Sequence, residues 1–310
     1  MTYVAYEQGE IEQIITYDGE VFTLGDGFDQ AVLSAGGRGM PSASYQTYQG
    51  YRQPFPAVRG YLIEPRSVTL TLFTMAQRRA DYWAARRALV QALRFNRGGP
   101  VTLRHIRADG TARDLLCFPD GSPDWDDESE WDAWETEIAL VAHNPLFQDA
   151  ERTSVRLDRP GGALEFPITF PITFEGFYSG IAFDIVYTGD FPAWPLIEVD
   201  GPYSTLRLMN ETTGAVVGLA GAVALGEKRF LDLAPGQQSL LDGFGTSRWG
   251  ELWMPDSVLM AFNLRPAGSA GMAAIFEGVP GGLNRVKAVV TGRADETAVQ
   301  LHYRQQYFSL

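Results

Sequence analysis

Many short apolar runs divide the second half of the chain, and this division restricts the fold more than any other feature. Runs such as IAFDIVYTGD, PLIEVDG and KRFLDL recur about every ten residues, separated by turn-forming segments. Runs of this length and spacing are typical of an antiparallel β-sandwich or jelly roll. The 33 glycines and 18 prolines fit a chain with frequent turns. We therefore predict an antiparallel β domain here.

The first half is predicted to be β-rich with one helix. Residues 11–17, 20–24 and 67–73 have the alternation and β-branched content of strands. Residues 74–96 then predict a helix, because alanine, leucine and arginine dominate and Thr74 can cap the first turn. The helix would end at the Asn-Arg-Gly-Gly-Pro segment.

Beyond the helix, two strand-like runs at 100–108 and 112–119 are joined by Asp109–Gly110, which predicts a tight β-hairpin. Residues 136–144 predict a further strand. A segment rich in proline and glycine, 144–163, then interrupts the strand pattern. Since 310 residues can bury two cores, we predict an N-terminal domain over 1–150 and a C-terminal domain over 163–310.

Charge and composition exclude several classes of protein. The net charge of −13 disfavours an affinity for nucleic acid, which normally requires basic residues. Cys117 is the single cysteine, so neither a disulfide framework nor a cysteine-based zinc site is expected. No basic and apolar leader begins the chain, and no apolar run approaches ~20 residues. We expect a protein made in a cytoplasm that does not insert into a membrane.

Motifs of catalysis and cofactor binding are missing from the sequence. The three histidines, His105, His143 and His302, are not grouped with cysteine or carboxylate motifs. His105 and His143 fall in predicted strands, where a structural role is the simpler interpretation. We predict no catalytic residues, no metal site and no cofactor.

The stretch from Asp124 to Glu135 holds seven acidic residues and three tryptophans, with no lysine or arginine. A glycosidase needs two carboxylates across a cleft, one of them kept protonated by burial. A calcium loop needs a glycine at its turn, and this stretch has none. A surface or interface loop is therefore favoured over both. Trp131 and Trp134, three residues apart, are expected to pack on one side of a helical turn.

Three segments resemble the distal tail proteins of long-tailed phages, also described as phage minor tail proteins. The first is WDAWETEIALVAHNPLFQD, in which a strand ends at Asn-Pro. The second is GDFPAWPLIEVDG followed by LRLMNETTGAVV, and the third is the terminal LHYRQQYFSL. In the second segment, the matching positions are Gly189, Asp190, Pro195, Ile197, Val199, Gly201, Asn210, Thr213 and Gly214. The resemblance covers most of residues 60–310.

The resemblance implies a mainly β fold, with an N-terminal ring-forming β domain with one helix and a galectin-like antiparallel β-sandwich behind it. It also implies a structural component of the virion, a ring of six copies at the tail tip. That ring would join the tail tube protein to the tail-tip hub protein and leave a channel through which DNA passes. The alternative is a carbohydrate-binding tail or baseplate module that touches the host surface.

A ring needs two complementary surfaces on each subunit, and charge suggests a pair. On the predicted helix, Arg79, Arg86, Arg87 and Arg94 lie beside Trp83, and the acidic stretch offers Asp126, Asp127 and Glu128 with Trp131. These nine residues are the candidate subunit interface. Two other placements remain open: the helix and the stretch could meet within one subunit, or the carboxylates could line the channel and repel DNA.

Two segments faintly echo the sugar site of true galectins. His143–Pro145 lacks the spacer and the arginine of the galectin motif, and Arg248–Glu251 lacks one position before the acid. A polar sugar needs several convergent hydrogen-bonding groups. We therefore predict that the galectin-like domain does not bind sugar.

Overall fold

The computed structural model describes residues 10–24, 30–51, 55–75, 78–94, 98–125, 133–157, 180, 182–253, 259–266, 282–294 and 296–310. Contacts divide the chain into two compact units. Unit 1 comprises Met1–Ala150 and Tyr307–Leu310, and unit 2 comprises Glu151–Gln306. Unit 1 is therefore discontinuous in sequence, since its last four residues follow unit 2 along the chain.

Unit 1 is built from strands and a helix. They are β1 (Ile11–Ile15), β2 (Val21–Leu24), β3 (Gln30–Ala35), β4 (Ala43–Tyr48), β5 (Ala57–Ile63), β6 (Arg66–Met75), α1 (Arg79–Ala92), β7 (Val101–Ile106), β8 (Ala112–Pro119), β9 (Asp124–Trp125), β10 (Ala133–Ala142) and β11 (Phe147–Asp149). Within the described residues, the main sheet runs β2-β1-β7-β8-β10-β6-β3, and β4 pairs with β5 in a separate two-stranded sheet. These ladders are antiparallel.

Alternation along the strands of the main sheet produces the core of unit 1. In β7, Val101, Leu103 and His105 are buried and the residues between them are half-buried. Because side chains of a strand point alternately to its two faces, one face of β7 enters a core that Ile14 and Leu115 also line. Each buried leucine of this kind contributes about 1.5–3 kcal/mol.

The predicted hairpin at Asp109–Gly110 is confirmed. Strands β7 and β8 pair from Val101↔Cys117 to Ile106↔Ala112. Gly110 has a φ of +83°, and the Asp109 carboxylate accepts a hydrogen bond of 2.8 Å from the Thr111 amide. Aspartate followed by glycine suits such a turn because glycine adopts positive φ without strain.

The predicted start of the helix is wrong. Thr74 does not cap it but lies buried in β6, paired with Trp134 of β10 and Gln30 of β3. The helix begins at Arg79, after Arg78 in an extended conformation without a side-chain cap. Trp134 likewise lies in β10 and not on a helical turn. In both places, strand pairing outweighs a local helical preference, and at Thr74 burial adds to it.

Unit 2 is built from strands. They are β12 (Thr153–Arg156), β13 (Ala182–Val186), β14 (Leu196–Asp200), β15 (Tyr203–Asn210), β16 (Ala215–Val223), β17 (Lys228–Asp232), β18 (Ser239–Asp242), β19 (Leu252–Trp253), β20 (Leu283–Thr291) and β21 (Ala298–Tyr303), with short 3-10 turns at Trp249–Glu251 and Leu259–Ala261. Strand β22 (Gln306–Tyr307) spans the boundary between the units.

Two antiparallel sheets form unit 2. Within the described residues, one has the order β12-β21-β14-β17-β18 and the other β13-β20-β15-β16-β19. Leu206 and Leu208 of one sheet and Ile197 and Leu231 of the other belong to a single buried cluster. A core shared by two sheets is that of a β-sandwich. The prediction of a mainly β chain is confirmed.

The Asn-Glu-Thr-Thr-Gly segment is a structural turn between β15 and β16. The side chain of Asn210 is buried, accepts from the amides of Thr212 and Thr213, and donates to the Asn263 carbonyl. Gly214 follows with a φ of +74°. The turn supports strand pairing, because a buried amide needs its hydrogen-bond partners.

Candidate subunit interface

Helix α1 has a buried face and an exposed face. Leu89 and Leu93 join the core of unit 1, and Ala92 is also buried. Residues three or four positions apart share a helix face, so the spacing of Leu89 and Leu93 anchors the helix. Asp81 in the first turn stabilises the helix, because its negative charge lies at the positive end of the helix dipole.

The exposed face of α1 carries an aromatic and arginine surface. Trp83 is 51% exposed and Val90 is 43% exposed. A shallow depression is lined by Trp83, Ala84, Arg86, Arg87, Val90 and Gln91. Apolar side chains exposed together with arginine are common at protein interfaces. This surface is consistent with the predicted subunit contact, but its residues do not identify the partner surface.

The arginines of the candidate interface lie in different settings. Arg86 donates 3.1 Å to the Tyr82 hydroxyl and lies 5.4 Å from the centre of the Trp83 ring, which meets Tyr82 edge to face at 4.9 Å. Arg86 is thus already oriented along the depression. Arg79, Arg87 and Arg94 are exposed, so their guanidinium groups face solvent.

The acidic side of the candidate interface lies outside the described residues. Asp126, Asp127, Glu128 and Trp131 all fall there. What is described next to them is β9, which pairs with Thr136 and Glu137 of β10. The three placements of the acidic stretch therefore stay predictions.

The hairpin of β4 and β5 is an apolar surface that sequence reasoning missed. Its exposed large side chains have exposed fractions of 49–67% and are Tyr45, Tyr48, Val58, Tyr61 and Leu62. Tyr45 and Tyr61 are directly opposite each other, and Leu62, next along the strand, points to the other face. Both faces of the hairpin thus carry exposed large apolar or aromatic side chains.

The edges of this hairpin are open as well. Within the described residues, β4 and β5 pair only with each other. An isolated hairpin is marginally stable in water, and an open edge is a template for further pairing. Exposed apolar surface of this kind marks an interaction site. The available signal was the recurrence of tyrosine at Tyr45, Tyr48 and Tyr51 in one short segment.

Two buried carboxylates in the described part of unit 1, Glu12 and Asp114, are paired with nitrogen groups. His105 Nδ1 lies 2.7 Å from Glu12 Oε1, and Arg38 pairs with the same oxygen. Arg104 binds Asp114 through both carboxylate oxygens, at 2.7 and 2.9 Å, and these hydrogen bonds raise the pKa of Arg104. The structural role predicted for His105 agrees with this setting. His143, which was also predicted to lie in a strand, follows the end of β10 and is exposed beside the Phe118 ring.

In unit 2, the residues that echo a galectin site are already engaged. Both oxygens of Glu251 accept from Arg229, at 2.7 and 3.1 Å, and this bonding raises the pKa of Arg229. Trp249 is 41% exposed beside it. Arg229 therefore uses part of the hydrogen-bonding capacity of the Glu251 carboxylate.

A second polar group on unit 2 crosses four strands. Ser154 Oγ lies 2.7 Å from His302 Nδ1, and His302 Nε2 lies 3.3 Å from Glu198, which Lys228 binds at 2.6 Å. Burial acts to raise the pKa of Glu198, but Lys228 and His302 outweigh it and lower that pKa. These side chains form a row of cross-strand hydrogen bonds and ion pairs on the sheet surface.

Among the described residues, no three His, Cys, Asp or Glu side chains are placed so that they could hold a metal ion. In the same part of the chain, no helix has the length and apolarity needed to cross a bilayer.

Fold and surface together define a two-unit, antiparallel β protein with an exposed apolar hairpin. No protein-family model and no curated protein matches the chain. Solved structures do share its fold. The crystal structure of SPP1 Dit (gp 19.1), described as a paradigm of the hub adsorption apparatus in Gram-positive infecting phages, is similar with a TM-score of 0.62 and 10% identity, covering 95% of this chain and 98% of that chain.

Two structures of the phage P2 baseplate in its activated conformation, with Ca and with Sr, are also similar. Each has a TM-score of 0.53 and 8% identity, and the match covers 97% of this chain and 99% of that chain. At these identities the likeness establishes a shared fold, and the proteins that share it belong to a phage hub apparatus and a phage baseplate.

Proposed function

We propose that this chain is a distal tail protein of a long-tailed phage, a structural component of the virion at the tail tip. The observation that carries the proposal is the likeness to SPP1 Dit, which extends over 95% of this chain and 98% of that one. A match over both units accounts for the whole architecture and not for one common domain. The role is structural and not enzymatic.

In this proposal, unit 1 forms a ring of six copies, and unit 2 is galectin-like. The exposed hairpin of β4 and β5 supports self-association, because its exposed apolar side chains and open edges favour a covering partner. A closed ring requires a heterologous contact, in which two different surfaces of neighbouring copies meet. The hairpin supplies one surface, and the Trp83 depression on α1 supplies a second contact region.

The ring would join the tail tube protein to the tail-tip hub protein. DNA would be in transit through its channel and would not bind there. The net charge of −13 supports this, since an acidic wall repels phosphate. The protein would be made in the host cytoplasm and act in the virion.

Particle shape and mass test this proposal together. Purified protein should show six-fold rings in negative-stain micrographs, and light scattering should give the mass of six chains of 34.2 kDa each. Replacing Tyr45 and Tyr61 together with serine should weaken the ring at least about tenfold, since each tenfold corresponds to ~1.4 kcal/mol.

Phe244→Ser is the matched control, because Phe244 is a 95% exposed aromatic residue in unit 2. It should leave the rings intact. A monomeric wild-type protein at micromolar concentration would overturn the ring. Rings that persist in the double tyrosine variant would remove the hairpin from the interface.

The alternative, a carbohydrate-binding module on the host surface, has one supporting observation. Trp249 and Trp253 are 41% and 45% exposed on unit 2, and aromatic rings stack on sugars. Because the convergent donors that a galectin-type site needs are incomplete at the matching positions, we expect no reproducible binding on a glycan array. Binding that is lost in Trp249→Ala or Glu251→Gln would establish the alternative.

A further inference from the structure

The last four described residues of the chain, 307–310, are held in unit 1 by polar contacts to their backbone. We call this segment the strap. Arg66 donates 2.7 Å to the Phe308 carbonyl, Arg113 donates to the Ser309 carbonyl, and the Leu310 amide donates 3.4 Å to the Arg38 carbonyl. These contacts to backbone atoms continue the attachment of the segment beyond the end of β22.

Apolar contacts fix the same segment. Tyr307 and Leu310 pack against the core of unit 1. The Arg113 guanidinium lies 3.6 Å from the centre of the Tyr307 ring, a cation–π distance. Strand β22, which contains Tyr307, pairs with β11. The strap is therefore part of unit 1, although unit 2 separates it from the rest of that unit in sequence.

Arg66 connects the strap to the base of the hairpin. Arg66 is 5% exposed and is the first residue of β6, which begins shortly after the end of β5. Besides Phe308, it donates 2.6 Å to each of the carbonyls of Gly37 and Gly39, which lead into β4, and 2.8 Å to Pro145. One planar guanidinium thus holds both ends of the hairpin and the strap.

The backbone at this junction is shaped for the contact. Gly37 has a φ of +77°, and a Cβ there would lie 2.1 Å from the Ser67 carbonyl oxygen, so no other residue fits without movement. Ser42 and Glu64 close the base with a backbone hydrogen bond of 2.9 Å and a side-chain hydrogen bond of 3.2 Å.

We propose that the strap is a positioning device for the hairpin: its docking on Arg66 and Arg38 fixes the hairpin base and so sets the direction in which the apolar arm projects. As a consequence, the hairpin is correctly presented only after unit 2 has been synthesised and the strap has docked. The inference rests on the proposed function only where it takes the hairpin to be the surface for self-association. The link between the strap and the base of the hairpin does not depend on the proposed function.

The test loosens the strap from the side that does not touch the hairpin. Arg113 lies on β8 and binds Ser309 and Tyr307, so Arg113→Gln in the full chain should release the strap. Hydrogen exchange by mass spectrometry should then be about tenfold faster at residues 36–42 and 64–66, as expected for local opening. Amides of β7 and β8 should keep wild-type protection.

Arg107→Gln is the matched control. Arg107 lies in the turn between β7 and β8, so its replacement removes an arginine from the same sheet and should leave exchange at 36–42 and 64–66 unchanged. A second variant, Leu310→Gly, loosens the strap at its other end and should reproduce the effect of Arg113→Gln.

Faster exchange in the strap with no change at the hairpin base would overturn the proposal. So would loss of protection throughout β7 and β8 in both strap variants, because the strap would then stabilise unit 1 as a whole and not position the hairpin. Oligomer mass is measured separately by light scattering. A wild-type protein without rings would sink the proposed function and leave the exchange result standing.

Discussion

His105 Nδ1 lies 2.7 Å from Glu12 Oε1, and both side chains are buried on neighbouring strands of unit 1. Arg38, which is 25% exposed at its side chain, pairs with the same carboxylate. Removing one member of such a buried group leaves the remaining polar groups without compensation, and this is strongly destabilising.

Glu12→Gln should therefore destabilise unit 1. Because the amide keeps the volume but not the charge, we expect the free energy of unfolding to fall by about 2–4 kcal/mol, measured by urea unfolding. Glu135→Gln removes an exposed carboxylate of the same unit and should change it by less than ~0.5 kcal/mol. Equal losses in the free energy of unfolding would show that the buried carboxylate contributes no more to stability than the exposed one.

Cys117 should make unit 1 sensitive to alkaline pH. Burial raises the pKa of the Cys117 thiol from 9.0 to about 12, an effect that Arg66 partly opposes. The unfolded chain releases this proton first, so the thiol favours unfolding increasingly as pH rises from 9 towards 12, by up to ~1.4 kcal/mol per pH unit. Stability is unaffected by this group below pH 9, where both states hold the proton.

Urea unfolding at several pH values between 8 and 11 checks the prediction. The decline should be shallower in Cys117→Ala than in the wild type, although the variant starts from a lower stability. Thiol reagents should label Cys117 only when unit 1 unfolds. Rapid labelling of the native protein, or parallel pH curves for the two proteins, would contradict this expectation.

Charge reversal addresses the candidate subunit interface on α1. Arg86→Glu with Arg87→Glu should weaken ring assembly at low salt, where contacts between exposed charges are least screened. Adding Asp126→Lys and Asp127→Lys should partly restore it if the acidic stretch is the partner surface. Each exposed pair contributes only ~0.2–1 kcal/mol, so these charges would set register and not hold the ring alone.

Size-exclusion chromatography with light scattering provides the measurement. Unchanged assembly after the double arginine reversal would exclude the contact between helix and stretch. The carboxylates would then be better explained as the lining of the channel.

The two predicted domains should be separable within residues 145–163. Limited proteolysis there should leave a C-terminal fragment that retains the sandwich of unit 2, whose core is formed by its own strands. Circular dichroism should show cooperative melting of that fragment. A fragment that does not fold would argue against the division at 1–150 and 163–310.

Local signals in the sequence determined much of the secondary structure. The hairpin at Asp109–Gly110 and the alternation in β7 depend on residues adjacent in sequence, since positive φ at glycine and a period of two are local properties. The buried face of α1 follows in the same way from the spacing of Leu89 and Leu93. These features were predictable because neighbouring residues suffice to produce them.

The tertiary structure alone decided the rest. Whether Thr74 begins a helix or continues a strand depends on β3 and β10, its pairing partners. The exposure of Tyr45 and Tyr61 depends on whether other strands of the folded chain cover them. The contact between Arg66 and Phe308 joins residues 242 positions apart, and no periodicity or spacing marks such a pair, because chain folding and not local preference brings them together.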